Sequence, residues 1–122
     1  MKDTNKIKGV EELEVFRLAH NLVLEIYKVS KTFPKDELYG ISSQMRRAAV
    51  SIGSNLAEGT NKSSKSEFRR YVNIAKGSTG EILYQILVAK DLSYLSPQAY
   101  DNLKKEYSIV IRMLEKLSQS LK

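Results

Sequence analysis

Apolar positions recur every three or four residues along four long stretches, and that period predicts helices rather than strands. In a helix over about 10–31, Phe16, Ala19, His20, Val23, Ile26, Tyr27 and Ser30 share one face. Over about 35–58 the corresponding stripe is Leu38, Ile41, Met45, Ala48, Ala49, Ile52 and Leu56. Over about 65–94 it is Phe68, Tyr71, Val72, Ala75, Thr79, Ile82, Ile86 and Ala89. The last stretch, about 97–121, carries Tyr100, Leu103, Tyr107, Val110, Leu114, Leu117 and Leu121 at alternating gaps of three and four, a heptad seam. No alternating apolar–polar run is bounded by hairpin turns.

The punctuation agrees with the period. Pro34 suits a first helical turn, and Asp36 and Glu37 follow where the helix dipole favours negative charge. Gly59 is placed to stop the second helix as a left-handed C-terminal residue. Ser64 and Glu67 form a capping box for the third helix, and Ser96-Pro97 is an N-cap followed by proline at the first helical position. Four helices with short connections predict one all-α domain over 1–122, an antiparallel up-down-up-down four-helix bundle.

One bundle does not use all of this apolar surface. The first helix carries a second line, Val15, Leu18, Leu22 and Val29, about 100° from the centre of its core face. The second carries Arg46, Val50, Gly53 and Ala57 on another line of mostly small residues. A helix apolar on two sides is buried on two sides, which points to a homo-oligomer with Val15, Leu18, Leu22, Val29, Val50, Gly53 and Ala57 at its interface. The plainer alternative is a broad core face with a few tolerated exposed leucines.

Catalytic chemistry is not evident. His20 is the only histidine, so no pair of Glu-x-x-His motifs and no His-based zinc site can form within one chain. No G-x-S-x-G elbow accompanies the serines. His20 therefore reads as a packed histidine, and Asn55 and Glu58 as structural polar groups at the corner into the third helix. Gly77 and Gly80 lack the Walker spacing and interrupt a helical pattern, so they suggest a bend or a close helix approach. No cofactor and no metal is assigned, and an enzyme is not expected.

Charge changes the picture more. Twenty Lys and Arg stand against fourteen Asp and Glu, a formal +6. On a helical projection Lys62, Lys65, Arg69, Asn73 and Lys76 cluster with Arg70 beside them, and Glu67 is the only acid between Lys62 and Lys76. Arg46 and Arg47 lie mid-way along the second helix. Such a ridge suits phosphate contacts with RNA or DNA, which position a polyanion without reading its sequence. There is no cysteine, no apolar run of signal-peptide length at the N-terminus and no membrane-span-length segment, so a cytoplasmic protein is expected.

The stretches "LEVFRLAHNLVLEIYKVSKTFP", "ELYGISSQMRRAAVSIGSNLAEG" and "SEFRRYVNIAKGSTGEILYQILVAKDLSYL" carry a resemblance. They are similar to the bacterial four-helix-bundle proteins encoded in intervening sequences of 23S rRNA genes, a family sometimes classed with ribosomal proteins. Gln44, Arg46, Arg47, Ala48, Ser51, Asn55, Ala57, Glu58 and Gly59 match its pattern. Phe16 stands at a position that is often tryptophan, and Gly53 at one that varies. The resemblance implies a homopentameric barrel. A related branch, the accessory protein of diversity-generating retroelements, binds nucleic acid and a reverse transcriptase. No catalytic residue carries over from the family. The expectation is a non-enzymatic homo-oligomer that binds RNA or DNA, with a protein-interaction scaffold, for instance for a polymerase, as the alternative.

Overall fold

A computed structural model describes residues 9–122, so the reading of "MKDTNKIK" as free of a leader lies outside the described residues. The main helices are α1 (Glu14–Ser30), α2 (Ile41–Thr60), α3 (Lys65–Asp91) and α4 (Pro97–Ser120). Each of α1, α2 and α3 packs against the next, and α4 closes the ring against α1. The contacts run in opposed senses. Arg46 of α2 meets Ser30 of α1, while Gly53 lies against Phe16. Ser51 meets Ser78, and Gly59 lies against Phe68 and Tyr71. Lys76 meets Glu115, and Arg69 meets Ser118. The result is a four-helix bundle with no strand among the described residues.

Helix boundaries depart from the sequence reading where the backbone turns away. Val10–Glu12 is a short 3-10 turn, and Leu13 is extended at φ −80° and ψ 122°, so α1 begins at Glu14. Lys35–Glu37 is likewise 3-10, and Gly40 at φ −110° and ψ −120° separates it from α2. Leu38 falls in that break and is 48% exposed rather than core.

Gly59 does not stop α2. It lies inside the helix with φ negative, and α2 continues to Thr60. Its function is steric: a Cβ there would stand 2.8 Å from Phe68 Cδ1 and 3.0 Å from Tyr71 Cβ. The hydrogen atom lets the end of α2 lie directly on the start of α3.

Ser64 accepts from the Glu67 N–H at 3.1 Å, as expected of a cap. The return half of the capping box is not made; the Glu67 carboxylate sits 3.6 Å from Arg70 Nε instead. Ser96 caps α4 by accepting from Ala99 N–H at 3.0 Å, with Pro97 in the first turn. The left-handed terminator falls at Ser93, φ 66°, which ends α3 three residues before the expected Tyr94. Around it Tyr94 N–H donates to Ala89 C=O at 2.8 Å and Ser93 N–H to Lys90 C=O at 2.9 Å, a Schellman closure with serine in the usual glycine position.

The core follows the apolar stripes on α2, α3 and α4. Met45, Ala49, Ile52, Leu56, Val72, Ile82, Ile86, Tyr107, Val110 and Leu114 are fully enclosed. On α1 the core lies between the two stripes: Ala19, Ile26 and Ser30 of the first are buried as expected. Val15 and Leu22, expected at an oligomer interface, are 4% and 5% exposed and belong to the bundle's own core. Leu18 and Val29 are half-buried against that core. His20 and Tyr27 are exposed instead, with Phe16 and Val23 half-buried between them. The packing of α2 and α4 decides which positions of the two lines turn inward. Gly77 and Gly80 also differ from expectation: α3 passes through both without a break, and no atom lies within 4 Å of where either Cβ would be.

Candidate nucleic-acid interface

The basic ridge is distributed among several local environments. Arg69 Nε donates to the Ser118 carbonyl at 3.0 Å, a second donor to a carbonyl in the last turn of α4 that also accepts from the Leu121 N–H. Ser118 Oγ donates to Asn73 Oδ1 at 2.8 Å, and Lys76 forms an ion pair with Glu115. That lysine holds the Glu115 carboxyl below its ordinary range, helped by Gln119. Three positions of the ridge thus fasten α3 to α4. The sequence showed only one acid nearby on α3; the relief comes from across the groove.

The α2–α3 corner is different. Tyr71 is half-buried, with Lys62 Nζ 5.3 Å from the centre of its ring and the Arg70 guanidinium 4.7 Å from it. Lys62 also lies 3.6 Å from Glu58, and Arg70 3.6 Å from Glu67. These acids are more than half exposed, so the pairs are weak and exchangeable. Lys65 is exposed and has no ion-pair partner among the described residues. Arg69 stands at the same end through its bond to α4.

Arg46 and Arg47 point to different places. Arg46 Nε donates to Ser30 Oγ at 2.8 Å and its guanidinium lies 4.8 Å from the Tyr27 ring centre. Arg47 is exposed and lines a cleft between α2 and α3 with Gln44, Ser51 and Glu81. Neither adjoins the corner at Lys62.

The three structural polar residues also separate. His20 is not packed in the core; it is exposed and stacks on Phe16, with ring centres 6.1 Å apart and planes 9° from parallel. Asn55 donates to Ser51 C=O at 2.8 Å and Ser51 Oγ at 3.0 Å, and Ser51 shares a 2.8 Å hydrogen bond with Ser78. It therefore joins α2 to α3 rather than serving chemistry. Glu58 is exposed beside Lys62.

On the outer side of α1 and α2 lies a shallow apolar groove of about 340 Å³, lined by Phe16, His20, Val23, Val50, Gly53 and Ala57. Val50, Gly53 and Ala57 are where the sequence placed them; their partners on α1 are Phe16 and Val23 instead of Val15 and Leu22. Phe16 Cε1 would approach a Cβ on Gly53 to 3.2 Å, so the glycine sets how closely the ring lies on α2. No group of three or more His, Cys, Asp or Glu able to hold a metal occurs among the described residues. No helix among them is long and apolar enough to cross a membrane.

The fold and the surface together define an all-α bundle whose notable features are a cationic corner and an apolar outer groove. Residues 11–116 match the family model of the 23S rRNA-intervening sequence protein, and the chain belongs to that family. Its fold is similar to a crystal structure from Bacteroides thetaiotaomicron VPI-5482, described as a protein of unknown function from the S23 ribosomal protein family. The TM-score is 0.79 at 20% identity, covering 86% of this chain and 95% of that one. A comparison with curated proteins gives no match.

Proposed function

We propose that this chain is a non-enzymatic, cytoplasmic, self-associating protein that binds RNA or DNA through phosphate contacts at the α2–α3 corner. The observation that carries the reading is the arrangement at that corner. Lys62, Lys65, Arg69 and Arg70 converge on one end of the bundle, and among the described residues the only acids paired with any of them are the exposed Glu58 and Glu67. A phosphate can displace such acids at little cost, because exposed pairs are worth about 0–1 kcal/mol. Lys76 is removed from the set by Glu115, and Arg46 and Arg47 belong to other surfaces.

Self-association uses the α1–α2 groove, and repetition of the corner around an oligomer raises avidity for a long polyanion. The family resemblance favours five subunits. The test is binding to structured RNA and duplex DNA across a salt series. Affinity falls as salt rises, with a log–log slope of about −0.9 for each duplex phosphate neutralised. Lys65→Glu with Arg70→Glu weakens all sequences alike. Absence of binding at low salt, or binding indifferent to salt, refutes it. Light scattering checks the oligomer: a strictly monomeric wild-type protein at micromolar concentration removes the role given to the groove.

The same groove supports a second reading, a scaffold for another protein such as a polymerase. In that case a pull-down survives neutralisation of Lys62, Lys65 and Arg70 and is lost with Val50→Glu.

A further inference from the structure

The corner between α1 and α2 lies at the other end of α2, about 30 Å from the cationic corner at 1.5 Å of rise per residue. It holds an open cavity of about 370 Å³ whose polar lining is Arg46, Lys31, Lys35, Ser30 and Ser42. Phe33, Pro34 and Leu38 supply an apolar side, and no carboxylate lines it. We propose that this cavity binds a phosphate monoester attached to a flat or apolar group, as in a nucleoside 5′-monophosphate or the 5′-phosphorylated end of a nucleic-acid strand.

Four observations converge on an anion. Arg46 is held from behind: its Nε is spent on Ser30 Oγ at 2.8 Å and its plane rests against Tyr27. A guanidinium has five N–H donors, so the four on its terminal nitrogens remain, without partners among the described residues. Second, Ser42 lines the cavity beside Ser30 and adds a second hydroxyl to its lining. Third, α2 begins here on Gly40, which has no side chain to cap it; Glu37 Oε1 reaches only the Ile41 N–H, at 3.4 Å. The first turn of α2 adds its partial positive charge. Fourth, Lys31 and Lys35 stand exposed at the rim.

Glu37 is the nearest carboxylate along the chain. Its other oxygen accepts from Tyr94 Oη at 2.8 Å, which holds it to the turn after α3 rather than in the cavity lining. Three cations around one site favour a phosphate monoester, which approaches a charge of −2 at neutral pH, over a singly charged diester. Phe33, Pro34 and Leu38 then meet the base or another apolar substituent.

The experiment is calorimetric titration of the full chain with AMP, adenosine and inorganic phosphate, and with short oligonucleotides bearing a 5′-phosphate or a 5′-hydroxyl. AMP is expected to bind at least about tenfold more tightly than adenosine. The double variant Lys31→Gln/Lys35→Gln changes only exposed rim residues and is expected to reduce AMP affinity by about tenfold. Arg46→Gln abolishes binding but also removes the Ser30 bond, so the rim variant keeps the test independent of folding. A 5′-phosphate preference among the oligonucleotides identifies a strand end as the source, and AMP binding without that preference identifies a free nucleotide. Equal binding of AMP and adenosine, or AMP binding unchanged in the rim variant, overturns the site. Lys65→Glu/Arg70→Glu should leave AMP binding intact, which separates this cavity from the polyanion corner.

Discussion

The sharpest stability prediction concerns glycines that look alike in the sequence and differ in the structure. Gly59, Gly77 and Gly80 all sit inside helices. Alanine in an open helix interior is favoured over glycine by up to about 1 kcal/mol. At Gly77 and Gly80 nothing opposes this, since neither Cβ would meet an atom within 4 Å. Each alanine there should stabilise by about 0.5–1 kcal/mol. Gly59→Ala receives less of that benefit, one residue from the end of α2. It also places a Cβ 2.8 Å from Phe68 Cδ1 and 3.0 Å from Tyr71 Cβ. The Phe68 ring is buried and Tyr71 Cβ is fixed to the α3 backbone, so relief requires the helices to separate. Overpacking of this kind costs about 1–3 kcal/mol, and a net loss of about 1–2 kcal/mol is expected. Urea unfolding followed by circular dichroism measures both signs. Unchanged or increased stability in Gly59→Ala would refute the steric reading. Destabilisation by Gly77→Ala would show that another surface covers α3 in solution.

Three further outcomes follow from named groups. Tyr107 is fully buried and its hydroxyl has no partner among the described residues, and burial raises its pKa well above the ordinary tyrosine value. Tyr107→Phe removes that unsatisfied group and should be neutral or stabilising by up to about 1 kcal/mol in urea unfolding, whereas a loss of 2 kcal/mol would reveal a missed partner. The Glu115 carboxyl is held below its ordinary value mainly by Lys76, so its contribution is complete above the unfolded-state pKa and disappears as pH falls through the lower folded-state one. The melting-temperature gap between wild type and Glu115→Gln should therefore narrow as the solution is acidified through the carboxylate range, and a gap constant with pH would contradict the pair. Ser93 holds a left-handed backbone at φ 66°, so Ser93→Gly should raise stability by about 1 kcal/mol, and a lower melting temperature would show that its side chain matters more than its backbone.

Much of the site was legible only as a list of charges. Lys62, Lys65, Arg69, Arg70 and Lys76 share a helical region in projection, and the sequence correctly found few acids along α3. Projection could not show that α4 brings Glu115 to Lys76 and the Ser118 carbonyl to Arg69. It also could not show that Tyr71 is gripped by two cations. The α1–α2 cavity left no motif, because Ser30, Lys35 and Arg46 are spaced across a turn whose shape the chain alone does not announce. Only Arg46, among matched family positions, marked it.

By itself the sequence determined the number of helices, the capped starts of α3 and α4, and the core stripes of α2, α3 and α4. These depend on period and on short-range backbone hydrogen bonding, which act within a few residues. Tertiary structure decided where the buried face of α1 is centred, why residue 59 is glycine, and which cations remain available to a ligand. Each of those depends on what stands across a helix–helix groove, and the centre of a broad apolar face is not fixed until neighbouring helices cover it.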